Sequence, residues 1–343
     1  MLSHRNVMGA VLNSLAAGDR AAADAVAMLT FPMYHVAGYT LLINHLAGVP
    51  VVIMQNFDAE TLFATIERHN VTALSLAPTM IALLLNHPSV DRYDLSSMKN
   101  IGYGASAMPA AVLLRARERW PQVRFGTGFG MTELAGNVMM LTPEEHDLAV
   151  DNDLPILNSV GKQMPLAMVR VVDENGRDTA PDVPGEIIIK GDQVLSGYWR
   201  NPEATAKSFS DGWFQTGDVG RFDANGYLYI VDRKKDMIVT GGENVYPREV
   251  EEVLYRHPSV LEVAVIGMED PTWGESVVAI VSCRAGHEGD AGALIAHCRE
   301  HIASYKKPKA VAFVAELPKN ASGKVLKREL REQLAAGQLM LHR

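Results

Sequence analysis

Thr132 and Glu133 close the run GTGFGMTE (Gly126–Glu133), in which three glycines precede a hydroxyl and a carboxylate. A loop of that composition can wrap a nucleotide, with Thr132 donating to a phosphate oxygen and Glu133 offering hard oxygen to Mg²⁺. It also fits a plain glycine-rich turn. In DGWFQTGD (Asp211–Asp218) a turn would place Asp218 to accept from both hydroxyls of a ribose, or leave it as a turn carboxylate satisfied by backbone amides. In PKNASGKVLKREL (Pro318–Leu330), Gly323 exposes Lys324 just before a helix; its ammonium is either a solvated charge or one that a flexible turn carries into a closing site. The run GYLYIVDRKKDMIVTGGENVYPREVEE (Gly226–Glu252) joins an alternating strand to five ionised residues, Asp232 to Asp236, at which the chain is expected to surface. Gly241 and Gly242 then permit positive φ and a close backbone approach to a ligand. Pro247 suits the first turn of a helix carrying Glu249, Glu251 and Glu252 near its positive end. The segment reads as a joint between two domains, or as a linker with an ordinary helix behind it.

The elements that must position these groups fall into three regions. Over 6–125, apolar strand candidates (25–30, 49–54, 73–76, 100–103) alternate with helix candidates (58–68, 78–86, 109–120), which predicts a largely parallel sheet with helices on its faces. Over 158–231 short strands such as 167–172 and 185–190 are separated by turns at 174–176 and 224–226, the spacing of a small distorted barrel or sheet. From 233 onward helices near 247–257 and 291–303 and strands near 260–268 and 277–283 predict a compact α+β unit. No internal repeat or low-complexity tract is present.

Bulk properties limit the partners. A chain of 343 residues can bury a substantial core and hold two or three domains. Its 32 basic and 40 acidic residues give a net charge of −8, which argues against a general nucleic-acid surface. Cys283 and Cys298 suit free thiols used for packing in a reduced, cytoplasmic protein better than a disulfide scaffold. The longest apolar stretches, such as 46–54, fall far short of the ~20 residues of a membrane helix. No hydrophobic signal core follows Ser3, His4 and Arg5.

Taken in order, these segments, with MLSHRN at the start, FPMYHVAG (31–38), GYGASAMP (102–109) and GEIIIKGDQVLSGYWRNPEAT (185–205), resemble the adenylate-forming superfamily and its acyl-CoA synthetases along essentially the whole chain. The resemblance implies an α/β fold: part of a large N-terminal domain (1–231, with an α/β portion at 1–157 and a β-rich portion at 158–231), then a smaller mobile α+β domain (232–343) hinged at Asp232. It implies ATP, Mg²⁺ and coenzyme A as substrates and metal. A carboxylate first attacks the α-phosphorus of ATP to give an acyl-adenylate and pyrophosphate, and the thiol of coenzyme A then displaces AMP. Negative charge gathers at phosphorus, so cations and fixed donors would dominate catalysis. By resemblance Lys324 is the cation at the α-phosphate, Glu133 the Mg²⁺ ligand and Thr132 a phosphate donor. Gly104, Ala105 and Ser106 form an adenine wall, and Gly128, Phe129, Gly130 and Met131 line the nucleotide, with Phe129 where the family often has Tyr. Asp218 holds the ribose with help from Arg233, Asp232 is the pivot, and Gly241 and Gly242 line a pantetheine channel. Tyr305, Lys306 and Lys307 fit either coenzyme A phosphates or a solvated basic turn. His35 fits either a core histidine or the entrance of an acyl pocket that Gly38, Gly102 and Gly126 also line.

Relatives that activate amino acids carry an Asp near 31–35, and this chain has none. An amino-acid substrate is therefore disfavoured; small residues at Gly38, Gly102, Gly126 and Gly128 leave room for an alkyl chain, so a medium- or long-chain fatty acid is the expected substrate, selected by apolar burial at ~0.8 kcal/mol per methylene. An aryl or short-chain acid is the enzymatic alternative, and an impaired fragment that only binds ligand or partner is the alternative of another class. The family's phosphate-gripping loop comes just before a segment similar to residues 1–6, and nothing precedes Met1. The chain is thus expected to begin inside the first domain, by truncation, a split gene or a mis-called start. Adenylation would suffer more than thioester formation, and apolar surface would be exposed. Peripheral membrane contact and homo-oligomerisation are left open.

Overall fold

The computed structural model describes residues 1–18, 24–104, 108–152, 154–320 and 325–342. The chain divides into two compact units, one of residues 1–216 and 220–230, the other of 217–219 and 231–343.

In the first unit, helix α1 (His4–Ala16) starts at a capping box in which Asn6 N–H donates to the Ser3 hydroxyl and Ser3 N–H donates back to the Asn6 side chain. Strand β1 (Ala27–Leu29), helix α2 (Val36–Leu46), β2 (Val51–Ile53), α3 (Ala59–His69), β3 (Ala73–Leu76), α4 (Pro78–Leu85), β4 (Asn100–Tyr103), α5 (Ala110–Arg119) and β5 (Arg124–Met131) alternate as expected. They are followed by β6 (Gly136–Leu141), α6 (Pro143–Asp151) and β7 (Lys162–Gln163). The sheet runs β2-β1-β3-β4-β5-β6-β7. Its first five strands pair parallel and the last two antiparallel. Helix α3 shows why these elements form. Asp58 caps it by accepting from Thr61 N–H at 2.7 Å, Asn70 ends it in the left-handed region at φ 50°, and Leu62, Phe63 and Ile66 recur at helical spacing on one fully buried face. That face joins Leu74, Leu76, Ile101 and Phe125 of the sheet in the main core.

The β-rich part contains β8 (Met168–Val172), β9 (Gly185–Lys190), α7 (Pro202–Lys207), β10 (Phe209–Ser210), β11 (Trp213–Phe222) and β12 (Leu228–Arg233). It is a sheet in the order β10-β11-β9-β8, with β12 also on β11, in keeping with the small distorted barrel or sheet that the strand spacing predicts. Val169, Val171, Ile187, Ile189, Phe214 and Leu228 alternate into its core.

The second unit continues with β13 (Ile238–Thr240), β14 (Glu243–Val245), α8 (Pro247–Tyr255), β15 (Val260–Asp270), β16 (Gly274–Cys283), α9 (Ala291–His301), β17 (Ala310–Phe313), α10 (Lys327–Ala335) and β18 (Leu341–His342). β15 and β16 form a long hairpin, and α9 makes the crossover that parallel pairing of β16 with β17 requires. Both faces of β16 are covered. Val277, Ala279 and Val281 pack among the residues of α8 and α9, and Val278 and Ile280 pack with Leu330 of α10.

Three expectations about local structure need correction. Gly126 to Met131 is not a loop but the greater part of β5, paired with β4 as far as Thr127 and with β6 from Thr127 to Met131. Asp218 lies within β11, not at a turn, and is buried. Asp232 to Asp236 does not surface as a block: β12 runs to Arg233, Asp232 and Asp236 are each 9% exposed, and only Lys234 and Lys235 stand in solvent.

Candidate functional site

The glycines of β5 answer to its neighbour. A Cβ on Gly128 would lie 2.8 Å from the Asn137 amide and the Met139 carbonyl, and one on Gly130 would overlap the Gly136 backbone, where the pairing with β6 slips register after Phe129. Side chains there would force the two strands apart. β5 ends in a single 3₁₀ turn, Thr132–Leu134, closed by Ala135 at φ 53°. The turn presents Thr132 to solvent and leaves Glu133 half-buried. The Glu133 carbonyl accepts from Leu195 N–H at 2.7 Å, and its Oε1 accepts from the Tyr198 hydroxyl at 3.2 Å. Burial and the adjoining carboxylate raise the Tyr198 pKa, so the phenol stays protonated as the donor.

Gly104 follows β4 directly, with open space where a Cβ would stand. Ala105 and Ser106, the rest of the expected adenine wall, lie outside the described residues. Phe129 and Met131 are half-buried against the core of the β-rich part. Of the expected acyl-pocket residues, Gly102 has only the Ser75 hydroxyl near its missing side chain, at 3.6 Å, and Gly126 has ordinary contacts. Gly38 is small for another reason: its Cβ would stand 2.5 Å from the Met33 carbonyl. His35 is exposed at the start of α2 beside the Tyr34 ring, so the core-histidine alternative does not hold.

In the second unit Arg233 Nε lies 3.4 Å from Asp218 Oδ1. Asp232 accepts from Arg233 N–H at 2.7 Å with Oδ1 and from Arg248 N–H at 2.8 Å with Oδ2, and so caps α8, whose own N-cap residue Tyr246 makes no side-chain cap. Gly241 and Gly242 adopt φ 61° and 83°, and Gly241 N–H donates to the Trp273 carbonyl at 2.8 Å. A Cβ on Gly241 would meet the Trp273 ring at 2.9 Å. Lys306 donates to both oxygens of Glu249, at 2.8 and 2.7 Å, so its charge is engaged within the unit. Lys324 lies outside the described residues. Tyr198 and the amide of Arg248 were not foreseen, because their partners Glu133 and Asp232 lie 65 and 16 residues away and no local pattern links them.

Among the described residues no group of three or more His, Cys, Asp or Glu side chains is arranged to hold a metal. Glu133 is thus a single carboxylate donor, which matches Mg²⁺ held by one protein oxygen together with phosphate and water. Among them, too, no helix is long and apolar enough to cross a membrane.

The sequence profile of the AMP-binding enzyme family matches residues 1–199, and that of the AMP-binding enzyme C-terminal domain matches residues 249–324. The chain belongs to this family. It is 38% identical to a feruloyl-CoA synthase of an Amycolatopsis species over 97% of this chain and 66% of the relative. It is 39% identical to a long-chain-fatty-acid–CoA ligase of Bacillus subtilis over 88% of this chain and 53% of the relative. The solved structure of the o-succinylbenzoate coenzyme A synthetase of Bacillus subtilis in complex with ATP and magnesium superposes with a TM-score of 0.84 at 32% identity, covering 97% of this chain and 66% of that one. The chain thus spans just under two thirds of the first of these relatives and about half of the second.

Proposed function

We propose that the chain carries the adenylate- and thioester-handling machinery of an ATP-dependent acyl-CoA ligase, with a medium- or long-chain fatty acid as the substrate. The observation that carries this reading is the Glu133 carboxylate on the turn after β5, half-buried and held at one oxygen by Tyr198, in a chain that belongs to the AMP-binding enzyme family. Gly104 and residues 128–131 line the nucleotide, Asp218 accepts from the ribose hydroxyls beside Arg233, and Thr132 donates to phosphate. Mg²⁺ held at Glu133 would neutralise phosphate charge. Lys324 supplies the cation of the first half-reaction. Asp232 is the pivot, and Gly241 and Gly242 line the path of the coenzyme A thiol. His35, Gly38, Gly102 and Gly126 belong to the acyl side. A second reading, an aryl carboxylate substrate, draws support from the 38% identity to the feruloyl-CoA synthase over nearly the whole chain.

The second half-reaction tests this directly. The purified protein is mixed with coenzyme A and synthetic hexadecanoyl- or feruloyl-adenylate, and thioester is followed by chromatography. Thioester should form well above the protein-free rate, faster with the hexadecanoyl compound; a faster feruloyl reaction selects the second reading, and no acceleration with either overturns the proposal. In a version extended to the full length of the relatives, Lys324→Ala should leave this step nearly intact while depressing ATP–pyrophosphate exchange, and equal losses in both would refute its assignment.

A further inference from the structure

The loop after β9 is tied to the Glu133 turn at several points, all within the first unit. Gln193, 1% exposed, accepts from Asn13 Nδ2 at 2.7 Å through Oε1, and its Nε2 donates to the carbonyls of Leu134 at 2.9 Å and Asn137 at 3.0 Å. Asn13, fully buried on α1, in turn accepts from Leu166 N–H at 2.7 Å. Two residues beyond Gln193, Leu195 N–H donates to the Glu133 carbonyl, and three further on the Tyr198 hydroxyl donates to Glu133 Oε1.

Every polar hydrogen of the Gln193 amide is used, in surroundings from which water is excluded. Such a network is stiff, because each broken bond strands a buried polar group. It encloses Ala135, whose left-handed backbone a non-glycine residue keeps only when its neighbours hold it there. We infer that Gln193 and Tyr198 are positioning residues for the Glu133 carboxylate: Gln193 fixes the turn, and Tyr198 occupies Oε1 so that the carboxylate presents Oε2 to a divalent cation. The inference rests on the proposed role of Glu133 as the Mg²⁺ ligand. Outer partners of this kind orient a ligand and set its basicity.

Mn²⁺ titrated in the presence of ATP, with bound ion read by electron paramagnetic resonance, separates the two claims. Glu133→Gln should abolish ATP-dependent Mn²⁺ binding; if it binds like the unaltered protein, the role of Glu133 itself fails. Tyr198→Phe should weaken Mn²⁺ about tenfold, as loss of an outer-shell partner does, with the thermal melt and the affinity for AMP unchanged. Gln193→Met should weaken Mn²⁺ and speed amide hydrogen exchange over 132–137. Loss of Mn²⁺ binding in Glu133→Gln alone, with both positioning variants binding normally, overturns the inference and leaves the reading of Glu133 standing. A purely structural role would lower the melt of the variants without moving Mn²⁺ affinity.

Discussion

His146 on α6 is fully buried, with its Nε2 2.7 Å from the Tyr103 hydroxyl of β4 and its Nδ1 without a partner among the described residues. Burial first, and the Arg117 charge second, bring its pKa down to about 4, against which Asp147 acts only weakly. The imidazole is therefore neutral in the fold. Between pH 6.5 and about 4 the unfolded chain binds a proton at this site that the folded chain does not, so stability is lost as pH falls through that window and levels off below it. The slope is at most about 1.4 kcal/mol per pH unit, on the order of 3 kcal/mol across the window. In the double variant Tyr103→Phe/His146→Leu both polar partners disappear together, so no orphan is left behind. Its urea midpoint should vary less between pH 6.5 and 4.5 than that of the unaltered protein; an unchanged profile would show that other groups set the acid limit.

At the scale of elements, α8 and α10 are held by charges that sequence alone reads as solvent-facing. Asp232 caps α8 from 16 residues away, Arg331 donates to Asp236 at 2.7 Å from 95 residues away, and Lys327 pairs with the Glu251 carboxylate at 2.7 Å. Asp232→Ala removes a cap and should destabilise the second unit by about 1–2 kcal/mol. Lys327→Met is the sharper test. It leaves Glu251 unpaired where burial already raises its pKa, at a cost of about 3–5 kcal/mol, and Glu251→Gln in the same chain should recover most of the loss. Equal melting points for the single and double variants would show that the pair adds only packing. These partners explain what sequence reading captured. β3, β4 and β9 were legible to the residue, and α3, α4, α5, α8 and α9 to within a few, because their apolar spacing is local and matches their period. β5 was not, since its glycines are required by β6, which comes later in the chain, and nothing within 126–133 signals that pairing. Asp218 and Asp232 were legible as chemistry but misplaced as structure, because a carboxylate in a strand is tolerated only through partners that local composition does not reveal. The Glu133 carboxylate was likewise found without Tyr198, its nearest partner.

For the molecule as a whole, each unit carries its own hydrophobic core. The first holds the clusters around Phe63, Leu76 and Phe125 and around Ile187 and Phe214; the second holds those around Val265, Val277 and Leu294 and around Ile266, Ile280 and Leu330. The second unit, 217–219 with 231–343, is of the size at which a single core sustains independent folding. Cooperativity should therefore be confined to each unit and not extend over the chain, and scanning calorimetry should give a calorimetric enthalpy well above the van't Hoff value, resolving into two components. The Lys327→Met variant assigns them. A loss of about 3 kcal/mol confined to a unit of roughly a hundred residues moves its transition by on the order of 10 °C or more. A component that shifts by that amount is thereby assigned to the second unit. Movement of the entire endotherm together, with the two enthalpies equal, would show one cooperative block and rule out units that unfold separately.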